Sequence, residues 1–133
     1  MILSDEQRKH LVMMRMAKAE DALADASILV GRGSCYGAVN RCYYAMFHAA
    51  SALAIQDNCD FHKHRAVISW FHREYVKTGR LSRELGKAFQ QAFDRRCDAD
   101  YTDVAAFTAE QVAAMLEQAR RFVAEVKSLL KTT

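Results

Sequence analysis

The sequence predicts an all-α protein, an up-down bundle of about five helices. No proline occurs among the 133 residues, so no residue breaks a long helix by removing a backbone donor. Good helix formers such as alanine, leucine, lysine and glutamate are abundant. No window alternates apolar and polar residues as a half-buried strand does. The length and the 51% of apolar residues predict one domain over residues 1–133, and short connections favour antiparallel helices.

The first and last predicted helices begin with the same capping pattern. Ser4-Asp5-Glu6-Gln7 and Thr108-Ala109-Glu110-Gln111 each place a hydroxyl and a glutamine where they satisfy free backbone N–H groups. The first helix should end near Val30, because the glycines of Gly31-Arg32-Gly33-Ser34 are favoured where a chain leaves a helix. The last helix should continue through Leu129.

Three further helices are predicted between them. The second runs from about Cys35 to about Gln56, and the third from about His64 to Thr78, with Gly79 as its stop. Ser82 can cap a fourth helix that ends near Arg96, and residues 97–107 are expected to be less regular.

Composition excludes several classes of protein. The formal charge of +3 permits nucleic-acid binding but does not argue for it. The four cysteines lack zinc-type spacing, and His62 and His64 would point about 200° apart on a helix, so we predict no metal and no cofactor. The N-terminus has no signal pattern and no stretch is long and apolar enough for a membrane span, so a soluble, cytoplasmic protein is expected.

The second helix is predicted to have two faces. When Arg41 is placed at zero on a helical wheel, His48 returns to about −20° two turns later, with Tyr44 between them at about 60° to one side. The opposite side is apolar and should face the core. It holds Val39, Tyr43, Met46, Phe47, Ala50, Leu53 and Ala54.

Small residues surround the Arg41–His48 ridge. Ala45, Ala49 and Ala52 would let another surface approach closely, and lysine and glutamate are absent from this face. We therefore predict that these alanines form the interface of a homodimer, in which two Arg–His pairs face each other across a cleft.

The residue types on this ridge suit RNA cleavage. Histidine gains or loses a proton near neutral pH and suits general acid–base work. Arginine stays charged and can bind a phosphate or stabilise charge that develops on it. Arg41 and His48 are therefore the candidate catalytic pair for attack of a ribose 2′-hydroxyl on the adjacent phosphate, and Tyr44 could stack on a base.

Three segments resemble the HEPN superfamily, and within it the small stand-alone prokaryotic members. They are the stretch from Asn40 to Ala50, the stretch from Phe61 to His64 with Val67 and Phe71 after it, and the stretch from Arg96 to Tyr101. The resemblance implies a helical dimer and, in many members, metal-independent ribonuclease activity at an Arg-x(4–6)-His motif. Many such members are toxins encoded beside a small nucleotidyltransferase that acts as antitoxin.

The same resemblance suggests supporting or substrate-binding roles for further residues. These are Asn40, Tyr44, Lys63, His64, Arg96, Asp100 and Tyr101, and Asp100 could pair with Arg41 or orient His48.

Three functions stay open from the sequence. The first is a toxin-type ribonuclease that acts on RNA as a dimer. The second is an inactive HEPN module that binds a nucleotidyltransferase or nucleotides, which Cys42 favours because active members often carry a polar residue after the arginine. The third is a purely structural helical dimer.

Overall fold

The structure is a computed structural model that describes residues 3–101 and 107–131, without the side chains of residues 99–101. Within these ranges the regular secondary structure is helical and no strand occurs, which confirms the predicted all-α fold class. Five α-helices follow in order: α1 (Asp5–Gly31), α2 (Cys35–Gln56), α3 (His64–Phe71), α4 (Arg83–Tyr101) and α5 (Ala109–Leu129). No helix in the described part of the chain is both long and apolar enough to cross a bilayer.

Both predicted capping boxes are present. The backbone N–H of Gln7 donates to Ser4 Oγ at 3.1 Å, and that of Ser4 donates to Gln7 Oε1 at 2.9 Å. Thr108 and Gln111 make the same reciprocal pair at 3.1 and 3.0 Å. These local bonds explain why α1 and α5 begin where the sequence predicts.

The third and fourth helices differ from their predicted spans. The α-helical part of the third ends at Phe71 and continues as a π-helical turn over His72–Val76, before Gly79 adopts a φ of 79°. Helix α4 continues to Tyr101 rather than ending near Arg96. No glycine or proline follows Gly86 in this helix, so no backbone constraint ends it at the predicted residue.

Helix α2 lies at the centre of the bundle, where it packs against α1, α3, α4 and α5. Most of the predicted inward-facing residues are buried, with Phe47 half-buried at the edge. The three alanines predicted to form the dimer interface, Ala45, Ala49 and Ala52, are also fully buried within the single chain. That prediction of an exposed alanine face is wrong, because the wheel allowed for one packed side whereas four neighbouring helices surround α2. A helix that is apolar nearly all round is a buried helix.

Candidate active site

Arg41 lies half-buried on α2, and its neighbour Asn40 fixes its direction. The Nε and Nη2 groups of Arg41 donate to Asn40 Oδ1 at 3.1 and 2.8 Å. The guanidinium carbon lies 5.0 Å from the centre of the Tyr44 ring, within range of a cation–π contact. Asn40 uses only part of the donor set of the guanidinium, so N–H groups are left that can bind a phosphate.

His48 follows one turn after Tyr44, and the centres of the two rings are 5.8 Å apart. Its Nδ1 atom is buried and has no hydrogen-bond partner among the residues described. Burial is the largest of the effects that lower the pKa of His48 to about 4, and the positive charges of Arg15, Lys18 and Arg41, together with His64, contribute in the same direction. His48 is therefore neutral at pH 7 and can accept a proton.

His64 begins α3 and lies beside α2. Its Nδ1 shares a 2.7 Å hydrogen bond with the hydroxyl of Tyr43, and its ring stacks on Phe47 at 4.0 Å with the two planes 7° apart. Burial lowers the pKa of His64, and the charge of Arg96 lowers it further. The ring is thus held by a hydrogen bond at one nitrogen and by stacking on one face.

Arg96 comes to the site from α4. Its guanidinium carbon lies 5.4 Å from the centre of the Tyr43 ring and 5.3 Å from that of Tyr44. The continuous helix through Arg96 brings this charge over the two tyrosines. Three helices therefore contribute cationic or titratable side chains to one surface.

Cys42 does not take part in this surface. Its side chain is fully buried, and burial raises the pKa of its thiol to about 12, partly offset by Arg120 of α5. The position that follows Arg41 thus belongs to the core, so a cysteine there removes no group from the surface that carries Arg41 and His48.

Most of the residues predicted for the site lie together. Lys63 is exposed at the start of α3, and its side chain makes no hydrogen bond or ion pair within the described residues. The side chains of Asp100 and Tyr101, and the predicted pairing of Asp100 with Arg41, lie outside the described residues. The cluster contains Asn40, Arg41, Tyr44, His48, His64 and Arg96.

Sequence reasoning missed four contributors. Tyr43 and Phe47 were assigned to the core, which is only part of their role, since they also hold His64. Arg15 and Lys18 of α1 act electrostatically on His48. Their spacing of three residues puts them on one side of α1, but the crossing of α1 and α2 decides which side meets His48.

Residues 12–129 match the family model for the HEPN domain. The chain belongs to the HEPN family. This HEPN chain is 33% identical over 125 residues to the "UPF0332 protein" of Thermotoga maritima, covering 94% of this chain and 95% of the relative. It is 34% and 30% identical to two proteins of Methanocaldococcus jannaschii named "putative toxin", each match spanning 113 residues, 85% of this chain, and 84% and 77% of the relatives. The resemblance to small prokaryotic HEPN proteins is confirmed.

Proposed function

We propose that this HEPN chain is a metal-independent endoribonuclease of toxin–antitoxin or defence type that acts as a dimer. The observation that carries the proposal is that a neutral, half-buried His48 and an oriented Arg41 lie on the same surface of α2. The relatives named as toxins support the toxin type. RNA is the substrate because this pair suits attack of a 2′-hydroxyl, which DNA lacks.

The proposed reaction is an internal transesterification. The 2′-oxygen forms a bond to phosphorus while the bond from phosphorus to the 5′-oxygen breaks. His48 takes the proton of the 2′-hydroxyl, and the departing 5′-oxygen takes up a proton from water, so the products are a 2′,3′-cyclic phosphate and a 5′-hydroxyl. Arg41 stabilises the negative charge that develops on the phosphate oxygens.

The surrounding residues have separate proposed roles. Asn40 orients Arg41 through its two hydrogen bonds. The half-buried ring of Tyr44 can stack on a base. Arg96 adds positive charge that attracts the RNA backbone. His64 uses Nδ1 for its bond with Tyr43, so its Nε2 atom can form a hydrogen bond with the RNA.

The dimer belongs to the proposal. A second copy would bring its own Arg41 and His48 across a cleft, so that two pairs act on one RNA. Its interface excludes the buried alanines of α2 and has to be built from exposed residues. The mass in solution, measured by light scattering, tests this arrangement, and a monomer that cleaves RNA at full rate would reject it.

A second candidate function is an inactive module that binds a small nucleotidyltransferase or nucleotides. Met13 and Met14 of α1 are 71% and 46% exposed, which is unusual for large apolar side chains. Methionine-rich surfaces adapt to protein partners. This candidate would be favoured if the protein bound the product of a neighbouring nucleotidyltransferase gene and cut no RNA. Met13→Asp should then abolish that binding.

RNA cleavage in EDTA tests the proposed activity. The purified protein should cut tRNA or mRNA, and His48→Ala and Arg41→Ala should each lower the rate by roughly a hundredfold or more, the usual contribution of such groups. His10→Ala and Arg32→Ala are matched controls, because both side chains are exposed and lie outside the cluster. Intact RNA with every preparation, or equal rates for wild type and His48→Ala, would reject the ribonuclease.

A further inference from the structure

A cavity of about 500 Å³ is lined by Phe47, which directly precedes His48, and by Arg15, which acts electrostatically on His48. It is bounded by the N-terminal half of α1, the C-terminal half of α2 and the connection between α2 and α3. Its apolar wall includes Leu11, Ile55 and Phe61, and the polar side chain of Ser51 also lines it. Pockets that bind small organic ligands measure roughly 300–1,000 Å³ and combine an apolar wall with a few polar groups.

Two arginines of α1 line this cavity and differ in their partners. Arg8 forms an ion pair with Asp5 at 2.8 Å and donates to the carbonyl oxygen of Leu3 at 3.2 Å. Arg15 is half-buried and forms no hydrogen bond or ion pair with any residue that the structure describes. Asp60 lines the same cavity but does not pair with Arg15. A partly buried guanidinium with all its donors available is suited to bind an anion.

The cavity adjoins the site through α2. Phe47 lines the cavity, stacks on His64 and directly precedes His48. Arg15 also acts electrostatically on His48, and Lys18 lies one turn further along α1 with an exposed side chain. A polynucleotide bound at Arg41 and His48 therefore has next to it a partly apolar cavity whose Arg15 is available to bind an anion.

We propose that this cavity binds the nucleotide next to the cleaved bond, with Arg15 on its phosphate and the apolar wall against its base. The proposal rests on the ribonuclease function proposed above and names a second position for the same substrate. Asp60 can accept a hydrogen bond from an N–H group of the base. Lys18 adds charge for the phosphate that follows.

The phosphate contact is tested by binding, without cleavage. The probe is a short 2′-O-methyl RNA, which cannot be cut because it lacks a free 2′-hydroxyl. Arg15→Ala should weaken binding roughly tenfold or more, the effect of losing a hydrogen bond to a charged group. It should also reduce the slope of log affinity against log salt concentration by about 0.7, the value for one phosphate contact on a single strand. Arg15→Lys should keep the slope, and Arg32→Ala is the exposed control.

The base contact is tested by filling the cavity. Ile55 lines it from a half-buried position, so Ile55→Trp can occupy the space with little disturbance of the core. This variant should bind the same RNA more weakly while the salt slope stays unchanged. Ala24→Trp places the same side chain at an exposed position of α1 as a control, and circular dichroism checks the fold of each variant.

The results separate this inference from the proposed function. Affinity and salt slope that are unchanged in Arg15→Ala would overturn the second nucleotide position, even if His48-dependent cleavage is observed. If Arg15→Ala lowers the affinity for RNA but the wild-type protein cuts no RNA, the second nucleotide position is supported and the ribonuclease is rejected. An unaltered affinity in a folded Ile55→Trp would overturn the placement of the base in the cavity.

Discussion

At the scale of single residues, the surroundings of His48 determine its protonation state. Positive or titratable groups face it from three helices: Arg15 and Lys18 from α1, Arg41 from α2 and His64 from α3. Together with burial, these groups keep the ring of His48 neutral. Without a bound phosphate, the site at pH 7 therefore holds a proton acceptor within a cationic surface. A bound phosphate would offset these charges and raise the pKa of His48, which makes the ring a stronger base when substrate is present.

The pH dependence of stability should reflect His48. Its pKa is about 4 in the folded chain and about 6.5 in the unfolded chain. Between these pH values the unfolded chain binds more protons, so stability falls as the pH decreases through this window. The contribution of this half-buried group is about 1–2 kcal/mol, because solvent screens part of the effect. His48→Gln should flatten this dependence, as measured by urea unfolding at about pH 7 and pH 4.5.

The matched control for this experiment is His10→Gln, since His10 is exposed on α1. It should follow the wild-type pH dependence. His64, whose pKa is also lowered, acts in the same direction and leaves a residual slope in His48→Gln. An equal loss of stability on acidification in His48→Gln and wild type would contradict the prediction.

At the scale of helices, the π-helical turn over His72–Val76 sets how α3 meets α4. The ring nitrogens of His72 lie 2.8 Å from the carbonyl oxygen of Ile68 and 2.9 Å from that of Gly86 on α4. Gly86 also lets the two segments approach closely. A Cβ atom at this position would lie 2.7 and 2.9 Å from the methyl carbons of Val76.

Gly86→Ala should therefore destabilise the protein. Alanine is favoured over glycine in a helix by about 1 kcal/mol, but overpacking costs typically 1–3 kcal/mol, and the branched side chain of Val76 has little freedom to move. We expect a net loss of about 1 kcal/mol in the free energy of unfolding, measured with urea. Gly31→Ala, where a Cβ meets nothing within 4 Å, is the control.

The double variant Val76→Ala with Gly86→Ala tests the cause. Removing the two methyl groups frees the space that the new Cβ needs, so the cost of Gly86→Ala should largely disappear in the Val76→Ala background. The same cost in both backgrounds would show that the contact with Val76 is not responsible.

At the scale of the whole molecule, α2 lies at the centre of the bundle, and its sides have different roles. Its buried sides hold the bundle together, and its remaining half-buried side carries Arg41, Tyr44 and His48. The flanking helices α1, α3 and α4 supply Arg15, His64 and Arg96 around that side. A change to the buried sides therefore acts on folding, and a change to the Arg41–His48 side acts on the site.

Ala49→Glu distinguishes a core position from a dimer interface. Ala49 is fully buried within one chain, so a carboxylate there would be removed from water without a partner and should cost several kcal/mol. We expect loss of the helical signal in circular dichroism rather than a folded monomer. Ala24→Glu, at an exposed position of α1, should leave the signal unchanged. A folded Ala49→Glu protein of reduced mass would instead restore the alanine interface.

Local sequence signals predicted the helices well, because hydrogen bonds within about four residues determine where helices start. The capping boxes at Ser4 and Thr108 and the glycine of the turn after α1 follow from such signals. The π-helical turn and the extension of α4 were not predicted. The turn involves the contact of His72 with Gly86 on another helix, and no glycine or proline marks the end of α4.

For the site, the sequence alone determined that Arg41, Tyr44 and His48 share one side of α2, because a helical period depends only on residue spacing. Which side of α2 stays accessible was decided by the tertiary structure, since four helices pack around it and bury the alanines. The approach of Arg15, His64 and Arg96 was likewise decided by the packing of separate helices. Contacts between residues far apart in the chain depend on how helices cross, and the spacing within one helix carries no information about that crossing.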